Sequence, residues 1–297
     1  MNQKQSPSLP IFIATLLALA APLAHAAAQG TVEAVQAPAW LERDGRSQPL
    51  NPGTEVKSGD VVRTGSGSRA YLMLAEGSRV KLGESAEFKI QFADPEPKSI
   101  FRGAFDVVKG AFRFTTGLLA KSRPREVTIR VATATIGIRG TDVWGRAGPD
   151  SELVALIEGK IELQRAGQVF QLAPMNYMEA RRGEPATVQR VDFAALQKLA
   201  AETEITQSGA MRSDGKWQLT YDAGNEQSQA ISLYDRLSAA GYATRIRPLA
   251  AATTDSTGSG FRYLLHMNGF ASSAEAELVA DRVQKAVGVK FAAKRLG

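Results

Sequence analysis

The chain has 297 residues, enough for about two domains, and its 44% hydrophobic and 22% charged content is ordinary for a soluble globular protein. It contains no cysteine, which excludes disulfides, thiolate metal ligands, a cysteine nucleophile and a lipid-modified N-terminal cysteine. The formal net charge of +6 favours an anionic partner, such as nucleic acid, a phospholipid surface or an acidic polymer.

The N-terminus has the three parts of a secretory signal peptide. Lys4 lies in a polar start, an apolar run covers residues 11–21, and Ala24-His25-Ala26 supplies small residues around a cleavage point. The apolar run is too short for a typical membrane span. We therefore predict a signal peptide at residues 1–26 and a periplasmic protein. The alternative is that this segment is retained as a membrane anchor.

The chemistry of the mature chain argues against catalysis. Cleavage after residue 26 removes His25 and leaves His266 as the single histidine, which disfavours serine–histidine catalysis and histidine-rich metal sites. Asp142 and Glu158 are carboxylates that could exchange protons, but no paired-carboxylate pattern singles them out. We therefore predict a protein that is not an enzyme and that uses no metal and no cofactor.

Residues 30–192 show the period-two alternation that is typical of an all-β domain. Two Glu-Gly pairs, Glu76-Gly77 and Glu158-Gly159, each separate two alternating runs. We predict a β-hairpin at each pair, with the glycine at positive φ. The alternating apolar positions are Ala70, Leu72 and Leu74; Val80 and Leu82; Phe88 and Ile90; Val127, Ile129 and Val131; Val154 and Leu156; Ile161 and Leu163; and Phe170 and Leu172.

The most distinctive run, residues 131–146, has a Gly-Ile-Arg-Gly centre at 137–140 with β-branched residues on both sides. A glycine pair beside an arginine is compatible with a phosphate-binding loop or with an RNA-binding Gly-x-x-Gly loop. Both need an adjoining helix, whereas residues 141–144 favour a strand. We predict a strand, a tight turn and a second strand, with glycines where the backbone needs positive φ or close approach.

Three segments of this region together resemble the FecR-type domain. They are residues 52–64, which include Gly59-Asp60, residues 75–82 and residues 133–142. The resemblance implies a β-rich periplasmic module. In the best-known family members this module lies outside a membrane helix and relays a signal to a cytoplasmic sigma factor. We expect no cytoplasmic segment here, so the resemblance implies a fold and a compartment more than a mechanism.

Residues 193–215 are predicted to connect two domains. Phe193, Leu196, Leu199 and Ala200 fall on one helical face after Asp192, which is a good N-cap. From residue 203 to residue 214 the chain becomes polar, with Gln207-Ser208-Gly209 and Ser213-Asp214-Gly215, a composition that is typical of a flexible joint.

Residues 216–297 contain an internal repeat, with Asp235-Arg236 and Asp281-Arg282 at matching places in two helical patterns. Strand patterns flank each helix at residues 217–221, 242–247, 262–267 and 289–294. The order β-α-β-β-α-β is that of a ferredoxin-like α+β domain with both helices on one face of the sheet. A capping box at Ser272 and Glu275 begins the second predicted helix, and Gly241 and Gly288 end the first and the second. The apolar stripe of the first helix is Ala230, Leu233, Tyr234 and Leu237, and that of the second is Ala276, Val279, Ala280, Val283 and Val287.

Alternation along these strands assigns side chains to the two faces of the sheet. The open face is predicted to be polar and basic, which suits either a binding platform or a merely solvated surface. Predicted to face the helices are Trp217, Leu219, Tyr221, Ile246, Tyr263, Leu265, Met267, Val289 and Phe291. Predicted to lie on the open face are Gln218, Thr220, Arg245, Arg247, Arg262, Leu264, His266, Lys290 and Lys294.

The repeat and three short motifs, at residues 217–219, 239–242 and 268–276, resemble the SPOR domain over about 80 residues. The resemblance implies binding of peptidoglycan, in particular denuded glycan strands, through the open face. Arginine suits the muramyl carboxylates that such strands expose. The candidate glycan-binding residues are Gln218, Thr220, Arg245, Arg247, Arg262 and His266.

The leading functional hypothesis is an exported, non-enzymatic protein that binds peptidoglycan through its C-terminal domain and docks an envelope protein through its β domain. The alternative is a periplasmic signalling protein that acts through the FecR-type domain on a membrane partner. RNA binding is a third hypothesis, because RNA-recognition folds share the β-α-β-β-α-β order. We expect no nucleic-acid partner, since those folds stack bases on sheet aromatics and the strand aromatics here face the helices.

Overall fold

The structure is a computed structural model that describes residues 29–92, 101–117, 125–205, 209–250 and 260–296. The predicted signal peptide lies outside the described residues. Within the described part of the chain, no helix combines the length and the apolar character that a membrane crossing requires.

The first unit consists of strands β1–β17 and helix α1. Most of these strands bury one apolar face against the core, which agrees with the alternation in the sequence. In chain order the strands are β1 (Gly30–Gln36), β2 (Ala39–Arg43), β3 (Arg46–Pro49), β4 (Glu55–Val56), β5 (Val61–Thr64), β6 (Arg69–Leu74), β7 (Arg79–Leu82), β8 (Glu87–Phe92), β9 (Phe101–Thr115), β10 (Arg125–Val131), β11 (Ala134–Ile138), β12 (Asp142–Ala147), β13 (Ser151–Glu158), β14 (Ile161–Arg165), β15 (Gln168–Leu172), β16 (Asn176–Arg181) and β17 (Thr187–Arg190).

These strands form two sheets around one core. Sheet A runs β1-β6-β7-β9-β12-β13-β16-β17, and β4 pairs with the start of β1. Sheet B runs β3-β2-β5-β8-β9-β10-β11-β14-β15, with β9 and β10 parallel and its other pairs antiparallel. The inner faces bury a continuous apolar cluster that includes Phe88, Phe105, Phe112 and Phe114. The all-β character expected for this region is confirmed.

Three glycines with positive φ lie where the chain passes from one sheet to the other. Gly110 (φ 84°) divides β9 between the sheets, Gly140 (φ 74°) joins β11 to β12, and Gly159 (φ 92°) joins β13 to β14. The predicted turn between two strands in the Gly-Ile-Arg-Gly motif is therefore confirmed. Gly137 lies within β11, has no positive φ, and a Cβ there would meet nothing within 4 Å. Of the two glycines in the Gly-Ile-Arg-Gly motif, only Gly140 therefore needs the positive φ or close approach that the sequence predicted.

The two Glu-Gly pairs have different roles. Glu76-Gly77 closes the β6–β7 hairpin as predicted. The predicted hairpin at Glu158-Gly159 is wrong, because β13 pairs with β12 and β16 in sheet A while β14 pairs with β11 and β15 in sheet B. A Cβ at Gly159 would lie 2.7 Å from the Gly140 carbonyl oxygen, so the two crossings between the sheets pack side by side.

Helix α1 (Phe193–Ala201) packs on the outer face of sheet A. Asp192 caps it by accepting a hydrogen bond from the Ala195 amide, as expected. Leu196 is buried against a cluster that includes the fully buried Trp144. Phe193 was predicted on the buried face, but it is exposed because it lies in the first turn, beyond the apolar surface that Leu196 covers.

The second unit contains the predicted β-α-β-β-α-β order. Its sheet order is β22-β19-β21-β20, and each neighbouring pair is antiparallel. Both helices contact β21, so they cover the same face. The Ser272 hydroxyl caps α3, and Gly288 ends it at φ 83°. The elements are β18 (Met211–Arg212), β19 (Trp217–Asp222), α2 (Gln227–Ala239), β20 (Arg245–Ala250), β21 (Phe261–Phe270), α3 (Ser273–Val287) and β22 (Ala292–Arg295).

The short strand β18 joins the two units into one sheet. Its residues pair with Ala34 and Val35 of β1, and Met211 also pairs with Phe270 of β21. The stretch predicted to be a flexible joint thus contains a strand that is hydrogen-bonded on both sides. A second contact forms where the Ala39 amide donates to the Gly241 carbonyl at 3.2 Å.

Two glycines allow close approach of the backbone segments around residues 212 and 269 at this junction. A Cβ on Gly269 would lie 2.4 Å from the Arg212 carbonyl oxygen, and a Cβ on Gly215 would lie 2.1 Å from the Gly269 carbonyl carbon. Gly269 also has a φ of 104° and lies at the register shift between β19 and β21. Neither position therefore admits a larger residue without displacing backbone.

Gly269→Ala tests this junction. The added methyl group meets backbone and also disfavours the φ of 104°, so we expect the free energy of unfolding to fall by about 2 kcal/mol or more. Thermal unfolding followed by circular dichroism measures the loss. Gly137→Ala is the matched control, because a Cβ there meets nothing within 4 Å. Equal midpoints for the two variants would contradict the role of Gly269.

Candidate functional site

The face of the second sheet that the helices leave uncovered carries the predicted site residues in cross-strand rows. Paired residues of antiparallel strands share a face, so the pairs Arg245–His266 and Thr220–His266 form one row. Arg247 lies in the next row, opposite Leu264, and Gln218 lies between Asn268 and Lys294. Five of the six predicted residues thus lie in neighbouring rows of one surface.

Arg262 differs from the other predicted cations. It lies farther along the face, opposite Leu249, and its guanidinium forms a short ion pair with the Asp222 carboxylate on the same face. Among the described residues, no carboxylate lies within ion-pair distance of Arg245 or Arg247. The face therefore offers two unpaired guanidinium groups, while Arg262 has a carboxylate partner in the chain itself.

Side chains on the opposite face pack against the helices as predicted. Leu219, Leu265 and Met267 are buried, and the Tyr221 and Phe291 rings lie 5.5 Å apart. The Tyr221 and Phe291 rings thus pack on the helix side of the sheet and not on the open face. Lys290 was predicted on the open face, but it precedes β22 and its Nζ lies 3.8 Å from an Asp281 carboxylate oxygen on α3.

His266 lies on β21 opposite Arg245, and it experiences the charges of both Arg245 and Arg247. Partial burial lowers the pKa of His266, and the positive charges of Arg245 and Arg247 lower it further. The imidazole is therefore neutral at pH 7, so it can donate or accept a hydrogen bond but adds no charge. The positive charge of this row comes from the guanidinium groups.

A cleft of about 310 Å³ lies where this face meets the first unit. Arg245, His266 and Asn268 line it from the second sheet, and Arg212 lines it from β18. Asn51 and Pro52, from the loop between β3 and β4, form the opposite wall. We call this space the junction cleft.

The sequence did not predict Arg212, Asn51 and Asn268 as site residues. Arg212 lies in the stretch that was predicted to be a linker, and Asn51 lies about 160 residues before it in the chain. Only the pairing of β18 with both units brings them together. Asn268 could have been found from alternation, because it is two residues from His266 on the same strand.

Residues in the Gly-Asp and Thr-Asp motifs of the first unit are structural. Asp60 is buried, accepts two hydrogen bonds from the Arg43 guanidinium at 2.7 and 2.6 Å, and accepts a third from the Lys57 amide. Asp142 accepts two hydrogen bonds from Arg113 at 2.9 and 2.7 Å. Both carboxylates hold neighbouring strands and turns together. Among the described residues, no group of three or more His, Asp or Glu side chains could hold a metal ion.

A second polar cluster ties the segment after α1 across sheet A. Glu204 accepts hydrogen bonds from Lys81 at 2.6 Å, from Tyr71 at 2.8 Å and from Arg113 at 3.1 Å. The Ile205 amide donates to the Tyr71 hydroxyl at 2.6 Å. The cluster connects strands β6, β7 and β9, so the chain leaves the first unit in a fixed direction.

The ionisation of this cluster follows from its contacts. Burial by itself would raise the pKa of Glu204, but hydrogen bonds from Lys81 and Tyr71 and the charges of Lys81 and Arg113 outweigh it and lower the pKa. Burial raises the pKa of Tyr71 to about 12. At neutral pH the cluster therefore combines an ionised carboxylate with a neutral phenol and two cations.

Comparison with known proteins identifies one family. Residues 60–162, roughly a third of the chain, match the family described as FecR protein. This segment begins just before β5 and ends in β14. The predicted resemblance to the FecR family is thus confirmed for the first unit. The chain matches no curated protein.

Two solved structures can be aligned with this chain. Both are crystal structures, at 1.65 and 2.50 Å resolution, of a protein described as a "putative anti-sigma factor" from Parabacteroides distasonis ATCC 8503. They are 13% and 14% identical to this chain, with TM-scores of 0.40 and 0.41. Each alignment covers 80% of this chain and 99% of the other. We draw no functional conclusion from similarity of this degree.

Glu204→Gln tests the polar cluster. Removing the charge weakens the hydrogen bonds from Lys81 and Arg113, so we expect a loss of about 1 kcal/mol in the free energy of unfolding at pH 7. The pKa of Glu204 is lower in the folded protein than its ordinary value of 4.5. The carboxylate therefore stabilises the fold fully above pH 4.5, and this stabilisation is lost as the pH falls through the pKa of the folded state.

The difference between Glu204→Gln and the unaltered protein should therefore be full at pH 7 and shrink below pH 4.5. Urea unfolding at a series of pH values measures it. Glu126→Gln, which removes an exposed ion pair with Arg102, is the control and should change stability little. A difference that grows as the pH falls would refute the assignment.

Proposed function

We propose that the protein is a non-enzymatic periplasmic signalling protein that docks a membrane-associated protein partner through its FecR-type unit. The observation that carries this proposal is the FecR match, which lies entirely within the first unit. The carboxylates Asp60 and Asp142 in the matching motifs are engaged in internal ion pairs, so they support a scaffold for docking better than a catalytic centre.

The proposed docking surface is the end of the first unit formed by β15 and β17. Among the described residues, β15 pairs with β14 alone and β17 with β16 alone, so each presents an open edge. Val169 and Val188 on these strands are exposed, and so is Phe193 just beyond β17. An open edge can bind an extended segment of a partner through main-chain hydrogen bonds, with exposed apolar side chains adding affinity.

Photocrosslinking in the envelope tests this function. A photoreactive amino acid at Val188 is expected to give one discrete adduct with a membrane protein, identified by mass spectrometry. The matched control carries the same amino acid at Gln284, an exposed position on α3 of the second unit. The docking proposal fails if Val188 gives no adduct, or if both positions give the same set.

The second candidate function is peptidoglycan binding through the open face of the second unit. It is favoured by one observation: on the sheet face without helices, Arg245 and Arg247 lie near His266, and neither has a carboxylate partner among the described residues. Guanidinium groups pair with carboxylates through two parallel hydrogen bonds, and denuded glycan strands carry muramyl carboxylates. We propose that this unit is a SPOR-like domain with denuded glycan strands as its ligand, a proposal that its sequence motifs and its element order support.

The roles within this site follow from position. Arg245 and Arg247 bind carboxylates, and Gln218 and Thr220 hydrogen-bond amides or hydroxyls of the sugar. His266 acts as a neutral hydrogen-bonding group. Arg262 can bind a ligand only if the ligand displaces the Asp222 carboxylate from its guanidinium. We therefore expect Arg262 to contribute least to binding among the six residues.

Co-sedimentation with purified sacculi tests glycan binding. Replacing Arg245, Arg247 and Arg262 by alanine should lower the bound fraction about tenfold or more, because charge-assisted hydrogen bonds are lost. The charge-matched control replaces the exposed Arg46, Arg190 and Arg236, which lie away from the face. Equal pelleting of the two triple variants would eliminate this face as the binding site.

A further inference from the structure

We propose that the junction cleft is a composite site for a carboxylate-bearing sugar of a glycan chain, and that it exists only while the two units are docked. This inference rests on the proposed glycan binding and extends it. Part of the ligand site would belong to the first unit, which the sequence resemblance does not include in the binding surface.

The cleft supplies two cations without internal partners. Arg245 reaches it from the open face and Arg212 from β18. Among the described residues, neither guanidinium has a carboxylate within ion-pair distance. Arg212 is partly buried, so its charge is less screened by water than that of a fully exposed arginine. Two such groups lining one cavity favour an anion over a neutral ligand.

The remaining lining indicates what the anion is attached to. The amides of Asn51 and Asn268 each offer donors and an acceptor, which complement the acetamido and hydroxyl groups of an amino sugar. Among the described residues, no Phe, Tyr or Trp lines the cleft, and its one aromatic ring is the His266 imidazole, so the lining offers little surface for stacking nucleobases. A volume of about 310 Å³ is at the small end of ligand sites and suits one or two sugar rings.

The cleft is continuous with the open face, because Arg245 and His266 belong to both. A glycan chain lying along the face can therefore place one carboxylate between Arg245 and Arg212. Asn51 and Pro52 close this end, so the ligand touches both units at once. Ligand binding would in this way stabilise the docked arrangement of the units, by mass action.

The position of Arg212 depends on the backbone junction and not on a flexible loop. Strand β18 is paired with β1 and β21, and the glycines at 215 and 269 let the turn after β18 pack directly on β21. A site on paired strands is more precisely positioned than one on a loop. The cleft is thus largely formed before ligand arrives.

Calorimetric titration of the full chain tests the composite site. The probe is a tetrasaccharide of alternating N-acetylglucosamine and N-acetylmuramic acid with free carboxylates, and chitotetraose is the neutral control. We expect Arg212→Gln to weaken binding of the probe about tenfold, and Asn51→Ala severalfold, because each removes a contact in the cleft. Arg236→Gln on α2 should leave the affinity unchanged.

The outcomes separate the two proposals. If Arg247→Gln weakens binding while Arg212→Gln and Asn51→Ala do not, the cleft proposal is wrong and glycan binding by the face stands. If the unaltered chain binds neither oligosaccharide, both proposals are wrong. Equal affinity for chitotetraose would overturn the role of the carboxylate. If unfolding curves show that Arg212→Gln is misfolded, Asn51→Ala decides the question.

Discussion

The arrangement of the two units depends on a close backbone contact at β18. This strand has two residues, yet it pairs with β1 on one side and β21 on the other. The contact requires glycine at 215 and 269, where any Cβ would overlap main-chain atoms. A two-residue strand contributes little by itself. Its importance is geometric, because it fixes how the open face of the second sheet meets the first unit.

Glycines also determine the path of the chain in the first unit, where three of them lie at the points at which the chain passes from one sheet to the other. Gly110, Gly140 and Gly159 each adopt a positive φ at a crossing between sheets. Because Gly159 packs against the Gly140 carbonyl, β11 and β14 pair in one sheet directly beside the β12–β13 pair in the other. The Glu204 cluster then fixes the chain against the outer face of sheet A. The path from the last FecR-type strand to β18 is therefore held at several points.

Local patterns predicted the elements better than they predicted which elements meet. Alternation located most strands of both units, and the helix stripes with their caps matched α2 and α3, because both signals depend on residues near in sequence. Glu76-Gly77 and Glu158-Gly159 look alike, yet only the first closes a hairpin, since the outcome depends on neighbours far along the chain. For the same reason the open face was predictable, while the Asp222 partner of Arg262 and the contribution of Arg212 were not. A polar, glycine-containing stretch suits a linker as well as it suits a two-residue strand between sheets.

The electrostatics of the face determine how the two proposed functions can be combined in one molecule. Burial and the charges of Arg245 and Arg247 lower the pKa of His266, so the imidazole is neutral at pH 7 and the positive charge of this part of the face comes from the arginines. Guanidinium groups stay charged throughout the physiological range, so the charge that Arg245 and Arg247 give to the face does not depend on pH there. At one end of this face, Asn51 and Pro52 of the first unit line the junction cleft. A ligand that spans this junction favours one arrangement of the units only to the extent that it binds that arrangement more tightly. The open edges of β15 and β17 belong to the first unit, so in the proposed functions the partner and the ligand both contact this unit.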